Sequence, residues 1–384
     1  MRIAISTTVM QRGKSGVGQT ILALVKALLA QPGDHELVLL VLAEDIPLFQ
    51  FAAGRAEIVT VPESYRPAIR NILWHQVQLP ALLKRLRIDV VHVPSYRRLL
   101  YRSPCATVAT IHDLAPFHVR GKYDMARMFY GRVVVRMLAR RQDEIITIST
   151  NTARDVERFF GVPVARQNVI WNGIDHVRFQ PGNTSEARAE AAQRWQLAAP
   201  FFLYISRLEH PAKNHVRLIQ AFNRFKNHTN SNWLLVLGGS DWHGAEVIHA
   251  EVASSPYARD IRCLGFVDDA TLPVLYRAAE VMVYPSLFEG FGLPPVEAMA
   301  CGCPVLSSTR GSLAEVVAGA AETLEPEDVI NMAAGLQRLA EDGGRRGELR
   351  AAGLENARRF DWGQNASQVL AVYRAASVRR SGKA

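Results

Sequence analysis

The sequence has no apolar run long enough to cross a membrane, and it contains few cysteines. Its longest apolar stretch, residues 37–43, is far shorter than the ~20 residues that a bilayer-spanning helix needs. The four cysteines are Cys105, Cys263, Cys301 and Cys303. Because no two of them form a C-x-x-C pair, a disulfide framework and a zinc site are both disfavoured. The first residues, 1–5, turn polar at once and carry no secretion signal. We therefore expect a globular protein of the reducing cytoplasm.

The glycine loop near the N-terminus partly matches two nucleotide-binding motifs, but each match lacks one required residue. Residues 13–20 have the glycine spacing of a Walker A loop, but Gln19 stands where the phosphate-binding lysine belongs, which disfavours an NTPase. The pair Gly16 and Gly18 begins a dinucleotide fingerprint, yet Ile21 replaces its third glycine. A glycine loop between a strand and a helix still presents backbone N–H groups to a phosphate or a sugar hydroxyl. Gly16 and Gly18 are therefore candidate ligand-binding residues, and a purely structural turn is the alternative.

The chain is long enough for two to three domains, since a length of 384 residues exceeds the roughly 150 that one domain commonly uses. Short runs of Val, Ile and Leu alternate with helical patterns in both halves, which predicts an α/β protein with parallel, doubly wound sheets. Turn-forming residues gather at 172–183, directly after an apolar run. We predict one domain over 1–175, a second over 176–362, and a final helix with its tail over 363–384, with Asp361 capping that helix.

Eleven strands are predicted. The first half contributes 2–6, 37–42, 90–93, 107–111 and 144–148. The second half contributes 202–205, 233–237, 261–264, 281–284, 304–307 and 323–324.

The net charge of +9 lies entirely in the N-terminal half. Lys and Arg outnumber Asp and Glu by 23 to 14 in residues 1–175, whereas residues 176–384 hold 22 of each. This asymmetry indicates an anionic partner, either nucleic acid or an acidic membrane surface, unless the charges merely keep the surface solvated. The basic residues are not interleaved with stacking aromatics, which disfavours nucleic acid.

One segment of that half fits a membrane contact. Residues 123–141 have a helical pattern in which Arg132, Arg136 and Arg140 recur every four residues beside apolar side chains. Such a helix could lie on an acidic bilayer. The alternative is that its apolar residues pack on their own domain and the arginines are solvated.

Polar side chains follow predicted strands, at the sheet edge where ligands bind in open α/β folds. His112 and Asp113 follow the strand 107–111, although Asp113 alone could cap a turn. Arg207 and Lys213 follow the strand 202–205 and could clamp a diphosphate, because Arg offers a fork of donors and Lys a point charge. A solvated basic loop is the alternative for this pair.

The segment from Ser286 to Ala300 carries the strongest pattern. Glu289 and Glu297 flank a turn rich in Gly and Pro that opens a helix after the predicted strand 281–284. The turn offers backbone N–H groups, and the two carboxylates can accept hydrogen bonds from sugar hydroxyls. Generic surface glutamates are the less favoured reading.

These motifs together resemble family 4 of the retaining glycosyltransferases with the GT-B fold. The resemblance rests on the loop 16–18, His112-Asp113, the linker 172–175, Arg207 with Lys213-Asn214, and the Glu289-x7-Glu297 segment, in that order along nearly the whole chain. It implies two Rossmann-like domains facing a cleft, with the acceptor on the N-terminal domain and a nucleotide-sugar donor on the C-terminal one. The last helix would cross back to the first domain.

The resemblance also implies a role for each motif. Arg207 and Lys213 would hold the donor diphosphate and stabilise the leaving group without a metal, while His112 would lie beside the reacting carbon. Glu297 would bind ribose. The donor sugar would be held by Glu289 and the amides of Gly290, Phe291, Gly292 and Leu293. No metal motif is expected, since Asp268 and Asp269 are adjacent and fit the cap of a helix over 270–279.

The expected activity is the retaining transfer of a hexose to a glycan or polyprenyl-linked acceptor in surface polysaccharide synthesis. Mannose from GDP-mannose is the expected sugar because it is common in the family. No cofactor is expected, and peripheral contact with the inner face of the membrane is a further expectation. Two alternatives stay open. One is a GT-B nucleotide-sugar epimerase or hydrolase, and the other is a non-catalytic nucleic-acid-binding protein.

Overall fold

The computed structural model describes residues 1–13, 15–118 and 129–382. Contacts within the chain divide it into two compact units. Unit 1 comprises Met1–Gly173 and Asp361–Ala384, and unit 2 comprises Ile174–Phe360. The chain therefore changes unit two residues before each of the predicted boundaries.

Unit 1 is built on a sheet of seven parallel strands. The strands are β1 (Arg2–Ser6), β2 (Glu36–Leu42), β3 (Glu57–Val61), β4 (Val90–Val93), β5 (Ala106–Ile111), β6 (Glu144–Thr147) and β7 (Gln167–Val169). Their order across the sheet is β3-β2-β1-β4-β5-β6-β7. The order reverses between β1 and β4, so the carboxyl ends of these two strands form the switch point at which ligands bind in such folds.

Helices cover both faces of this sheet. They are α1 (Gly16–Ala30), α2 (Ala68–Arg85), α3 (Ala115–His118), α4 (Arg136–Ala139), α5 (Thr150–Phe160) and, after the passage through unit 2, α14 (Trp362–Ser381). Helices α1 and α14 pack together over one face, in a core that includes Ile3, Ile5 and Val90. Helix α2 packs on the opposite face against Val91 and Val93.

The last helix is tied into unit 1 by polar contacts as well as by packing. Asp361 caps its start by accepting a hydrogen bond from the Gln364 amide at 2.7 Å, as the sequence predicts. The buried Tyr373 hydroxyl lies 2.7 Å from His92 Nδ1 on β4. Helix α14 is consequently part of the unit 1 core rather than a terminal appendage.

Unit 2 repeats the architecture with six parallel strands. They are β8 (Phe201–Ile205), β9 (Leu234–Gly238), β10 (Ile261–Gly265), β11 (Val281–Tyr284), β12 (Val305–Ser308) and β13 (Glu322–Leu324). Its helices are α6 (Thr184–Trp195), α7 (His215–Thr229), α8 (Ala245–Ser254), α9 (Leu272–Ala278), α10 (Leu293–Ala300), α11 (Leu313–Val316), α12 (Val329–Glu341) and α13 (Gly343–Ala357). The order β10-β9-β8-β11-β12-β13 reverses between β8 and β11. The switch point of unit 2 therefore lies at the ends of those two strands.

Two strands were not predicted from the sequence, and both form edges of the unit 1 sheet. Strand β3 is only partly buried, and β7 has three residues with no buried side chain. An edge strand needs less apolar surface than a central one, which is why a search for apolar runs misses it.

The predicted helix over 123–141 is only partly covered by the structure, because residues 123–128 lie outside the described residues. From Tyr130 to Val135 the backbone is a π-helix, which continues into α4. Arg132, Arg136 and Arg140 are all exposed, and Arg140 Nε also donates to the Phe160 carbonyl at 2.9 Å. Arg140 is therefore fixed to its own unit by a hydrogen bond, and the membrane role of the three arginines stays a prediction. Of the helices in the described part of the chain, none combines the length and apolar composition needed to span a bilayer.

Candidate functional site

The switch point of unit 2 brings the two predicted cations next to acidic and aromatic partners. Arg207, two residues past β8, pairs with Glu209 at 3.0 Å, and its guanidinium lies 4.8 Å from the centre of the Trp242 ring. The Arg207 side chain is 44% exposed, whereas that of Glu209 is buried. The side chain is therefore held by neighbours while its charge still faces solvent, which suits a group that meets an anionic ligand.

Lys213 is paired with the first glutamate of the predicted motif. Its Nζ lies 2.6 Å from Glu289 Oε1, and both side chains are largely buried. This ion pair connects the loop after β8 to the loop after β11. Burial raises the pKa of Glu289, but the charge and hydrogen bond of Lys213 outweigh it, so the pKa is lowered overall. Glu289 is consequently ionised at neutral pH and can accept hydrogen bonds from a sugar.

A group of buried polar side chains supports this ion pair. Tyr284, the last residue of β11, donates to the same Glu289 oxygen at 2.9 Å. Tyr204 on β8 donates to the Lys213 carbonyl at 2.7 Å. Asn214 Nδ2 donates to the carbonyls of Pro285 and Pro326 at 3.1 and 2.6 Å. The loops that follow β8, β11 and β13 are thus fixed to one another by uncharged side chains.

Two positions at the turn between the glutamates require glycine: Gly292 at the end of the turn, and Gly311 in the loop that packs against Glu289. Gly292 has φ 94° and precedes α10, and a Cβ there would lie 2.5 Å from the Leu313 side chain. Gly311, with φ 65°, packs so closely that its Cβ would lie 2.4 Å from the Glu289 carbonyl oxygen. The Leu293 amide has no acceptor within its helix, because the first amides of a helix never do. The Phe291 side chain is buried 5.6 Å from the Phe360 ring, so only the backbone of Phe291 could serve a ligand.

Glu297 lies in α10 and has a different environment from Glu289. Its Oε2 accepts a hydrogen bond from Tyr276 at 3.0 Å. Burial raises its pKa to about 7, and the hydrogen bond from Tyr276 offsets only part of that rise. The two glutamates therefore differ chemically, since one is ionised by a paired lysine and the other titrates near neutral pH.

His112 follows β5 in unit 1 and is buried. One of its ring nitrogens bonds the Pro94 backbone, and Nε2 has no partner among the described residues. Burial lowers its pKa to about 4, so the ring is neutral at pH 7. It lines a pocket together with His92, Thr110, Asn172 and Trp362, all from unit 1. Asp113 caps a turn by accepting from the Ala115 amide at 3.0 Å, which was the simpler expectation for it.

The first glycine loop is held mainly by its own hydrogen bonds. Ser15 caps α1, and its Oγ accepts from the Gly18 amide at 3.1 Å. A Cβ on Gly18 would lie 2.6 Å from the Met10 carbonyl oxygen, so that glycine is required for packing. Gly16 faces open space, and Gln19 closes the loop on the Gly13 carbonyl. A ligand-binding role for Gly16 and Gly18 stays a prediction.

Several partners of the predicted site residues were missed in the sequence. Tyr284 ends a predicted strand and Tyr276 lies in the predicted helix 270–279, so their positions were available although their contacts were not. Trp242 had no signal beyond its place after β9. Asp268 accepts from the Ala270 amide at 2.8 Å in the turn before α9, whereas the helix itself begins at Leu272 with Thr271 at its N-cap, so the predicted helix start at residue 270 was two residues early. Within the described residues, no three His, Cys, Asp or Glu side chains cluster in a way that could hold a metal ion.

Comparisons with known proteins agree with this architecture. The sequence model described as "Glycosyl transferases group 1" matches residues 186–376, and that of "Glycosyltransferase Family 4" matches residues 14–178. An O-antigen chain mannosyltransferase B of Escherichia coli is 28% identical over 392 residues, covering 97% of this chain and 100% of the relative. A D-inositol 3-phosphate glycosyltransferase of Xylanimonas cellulosilytica is 31% identical over 262 residues, covering 66% of this chain and 62% of the relative.

Among solved structures, Anabaena HepE in complex with UDP and glucose superimposes with a TM-score of 0.75 at 19% identity. The match covers 97% of this chain and 99% of that one, which establishes a shared GT-B fold. The two matched sequence models span most of the chain and assign its two parallel-sheet units to one kind of enzyme. The chain belongs to the group 1 glycosyltransferases of family 4.

Proposed function

We propose that this glycosyltransferase transfers mannose from GDP-mannose, with retention of anomeric configuration, to a glycan or polyprenyl-linked glycan in surface polysaccharide synthesis. The observation that carries the proposal is the pairing of Lys213 with Glu289 at the switch point of unit 2, with Arg207 in the same loop as Lys213. The E. coli relative, named a mannosyltransferase, supports the sugar and the pathway class. HepE, solved with UDP and glucose, supports a nucleotide-sugar donor.

The chemistry of transfer needs positive charge at the departing diphosphate. As the bond between the anomeric carbon and the phosphate oxygen breaks, negative charge builds on the nucleoside diphosphate. Arg207 and Lys213 stabilise that charge, so no divalent metal is required. The acceptor hydroxyl attacks from the same face, and its proton passes to the departing phosphate oxygen.

The remaining residues orient the donor. Glu289 accepts hydrogen bonds from sugar hydroxyls because Lys213 keeps it ionised, and the backbone of residues 290–293 supplies amide donors. Glu297 binds the ribose hydroxyls. His112 is neutral at pH 7, and its Nε2, which has no partner among the described residues, can accept a hydrogen bond from a hydroxyl of the reacting sugar. Gly16 and Gly18 are proposed to receive a phosphate or hydroxyl of the donor.

Incubation with GDP-mannose, UDP-glucose and other nucleotide sugars tests the function. We expect transfer to a mannoside acceptor with GDP-mannose, in the presence of EDTA, and a product whose anomeric configuration by NMR matches that of the donor. Inverted product would refute the retaining mechanism, and loss of activity in EDTA would refute metal independence. Release of free or epimerised sugar without acceptor would favour the hydrolase or epimerase alternative.

Removing Lys213 should lower transition-state stabilisation by about 2–4 kcal/mol, the usual loss for one oxyanion donor. Lys213→Ala also leaves Glu289 buried without its partner, so the melting temperature should fall as well. The double variant Lys213→Met/Glu289→Gln removes both charges. It should regain the melting temperature while kcat stays low, which separates catalysis from folding. Wild-type turnover in either variant would contradict the role.

Glu297 should make stability depend on pH in a defined direction. Its folded pKa of about 7 exceeds the ordinary 4.5, so the folded protein keeps a proton that the unfolded chain loses between these values. Folding is therefore favoured less as pH rises through that window. The melting temperature of Glu297→Gln minus that of the wild type should increase as the pH rises from about 5 to about 8. The exposed Glu246→Gln is the control, and a constant difference would contradict the assignment.

A lipid-linked acceptor requires contact with a membrane, and unit 1 has a suitable surface. Ile69, Leu73 and Val77 recur every four residues along α2 and are 74%, 56% and 70% exposed. Helix α2 contains no acidic residue and ends in Lys84 and Arg85. We take the occupant to be an anionic bilayer, because apolar side chains and cations lie together on the half that carries the whole charge excess.

The segment next to α2 has the same character. Phe129, Val133 and Met137 are exposed at a four-residue spacing, with Arg132 and Arg136 beside them. Val93 on β4 and Ala109 on β5 are paired in the sheet and pack under α2 and under this segment respectively. Both stripes therefore lie over one face of the unit 1 sheet.

Vesicle co-sedimentation tests the contact. The protein should bind vesicles containing anionic lipid, and binding should fall steeply with salt because the charges are screened. Leu73→Gln/Val77→Gln and Arg132→Gln/Arg136→Gln should each weaken binding several-fold, whereas Val247→Gln, an exposed site in unit 2, should not. Undiminished sedimentation of both double variants would refute the surface.

A further inference from the structure

Unit 1 contains a cation that has no acidic partner among the described residues. Arg98 ends the short turn Tyr96–Arg98, which follows β4. Its Nε donates to Asn71 Oδ1 at 2.5 Å and its Nη1 to the Arg97 carbonyl at 3.2 Å. No ion pair joins Arg98 to a carboxylate anywhere in the described residues. Two of its five N–H donors are thus used, and both acceptors are neutral.

The burial of this guanidinium makes the missing partner significant. The side chain is partly buried, and this burial, together with the charge of neighbouring Arg97, lowers its pKa to about 10. Arg98 is still charged at pH 7. Charged side chains that leave water are normally paired, because an uncompensated buried charge is costly. Among the described residues, this partly buried positive charge is met only by neutral acceptors.

The groups around Arg98 suit an anion rather than a cation. Asn71 lies in the first turn of α2, whose N-cap residue, Pro67, provides no side-chain cap. Helix starts carry a partial positive charge. Ser6 and His75 lie 2.9 Å apart beside this turn, and burial lowers the pKa of His75 to about 3, so its ring is neutral. Hydroxyl, amide and guanidinium groups converge here without a carboxylate.

The position in the fold is also that of a ligand site. Ser6 ends β1 and Arg98 follows β4, and these are the two strands between which the order of the unit 1 sheet reverses. Ligands of open α/β sheets bind at the carboxyl ends of such strands. Strand β4, which Arg98 follows, holds the place in unit 1 that β11, which is followed by Glu289, holds in unit 2.

We propose that Arg98 is the centre of a phosphate-binding subsite in unit 1 that recognises a phosphoryl group carried by the acceptor. The inference rests on the proposed function, in that it names the chemical class of the acceptor: a phosphorylated saccharide rather than a neutral one. Arg98 binds the phosphoryl oxygens with its free N–H donors, and Asn71 fixes the plane of the guanidinium. The phosphoryl group supplies the negative charge that none of the described residues brings to Arg98.

The first test measures binding of pyrophosphate to the full chain carrying Arg207→Ala/Lys213→Ala, which disables the proposed diphosphate clamp of unit 2. Pyrophosphate should raise the melting temperature of this parent by mass action. Adding Arg98→Gln should abolish the rise and leave the ligand-free melting temperature equal or higher, because an unpaired buried charge is removed. Adding Arg70→Gln, an exposed cation of α2, should leave the rise intact.

The stability readout separates this site from a structural arginine. A structural Arg98 would give the opposite pattern, in which Arg98→Gln lowers the ligand-free melting temperature and the pyrophosphate shift is absent from the parent or persists in the variant. Either of these results would overturn the proposal. Arg98→Lys, which keeps the charge without the fork, should retain part of the shift.

The second test uses transfer kinetics on the otherwise unchanged protein. Arg98→Gln should raise KM for a phosphorylated acceptor at least tenfold, while KM for methyl α-mannoside and the Kd for GDP stay unchanged. Mannose 1-phosphate and a polyprenyl-diphosphate-linked mannoside in micelles form the two arms, and the arm with the larger effect identifies the source of the phosphate. Equal effects on phosphorylated and neutral acceptors would overturn the proposal.

The two tests also separate this subsite from the function on which it rests. If pyrophosphate raises the melting temperature through Arg98 but no mannose is transferred, the subsite stands and the donor assignment is refuted. If mannose is transferred and neither test depends on Arg98, the donor assignment stands and the subsite is refuted.

Discussion

The ion pair between Lys213 and Glu289 is the contact on which the site of unit 2 depends. It spans the switch point, because Lys213 follows β8 and Glu289 follows β11. The pair places a cation where a diphosphate would meet it and keeps a carboxylate ionised despite burial. Each charge makes the burial of the other tolerable, so neither motif could take this geometry alone. Tyr204, Tyr284 and Asn214 then fix the loops that carry the pair.

The two units share a topology but differ in the partners of the cations that lie at the carboxyl ends of their strands. In unit 2, Arg207 and Lys213 both have acidic partners. In unit 1, Arg98 has only neutral hydrogen-bond acceptors among the described residues. A cation with an internal partner is positioned in advance and can share its charge with a ligand. One without a partner has its charge compensated only when an anion binds, which is the basis of the phosphate-binding subsite proposed for unit 1.

Much of the site could be predicted from the sequence because its residues follow strands. The apolar runs of β5, β8 and β11 are plain in the sequence, and His112, Arg207 and Glu289 come directly or shortly after them. The edge strands β3 and β7 were missed, since they bury too little to show an apolar run. Arg98 was not singled out, because in the sequence it is one arginine among many on a basic half. Its hydrogen bond to Asn71 on α2, and the lack of a carboxylate partner among the described residues, become visible only in the folded chain.

The sequence by itself determined the α/β class, the loops that follow the strands and the family resemblance. These depend on local patterns, namely apolar periodicity, turn-forming residues and motif spacing. The tertiary structure decided which charges are compensated: that Lys213 pairs with Glu289, that Glu297 titrates near pH 7 beside Tyr276, and that Arg98 is partly buried with no carboxylate partner among the described residues. Burial and pairing arise from residues far apart in the chain, so no local pattern contains them.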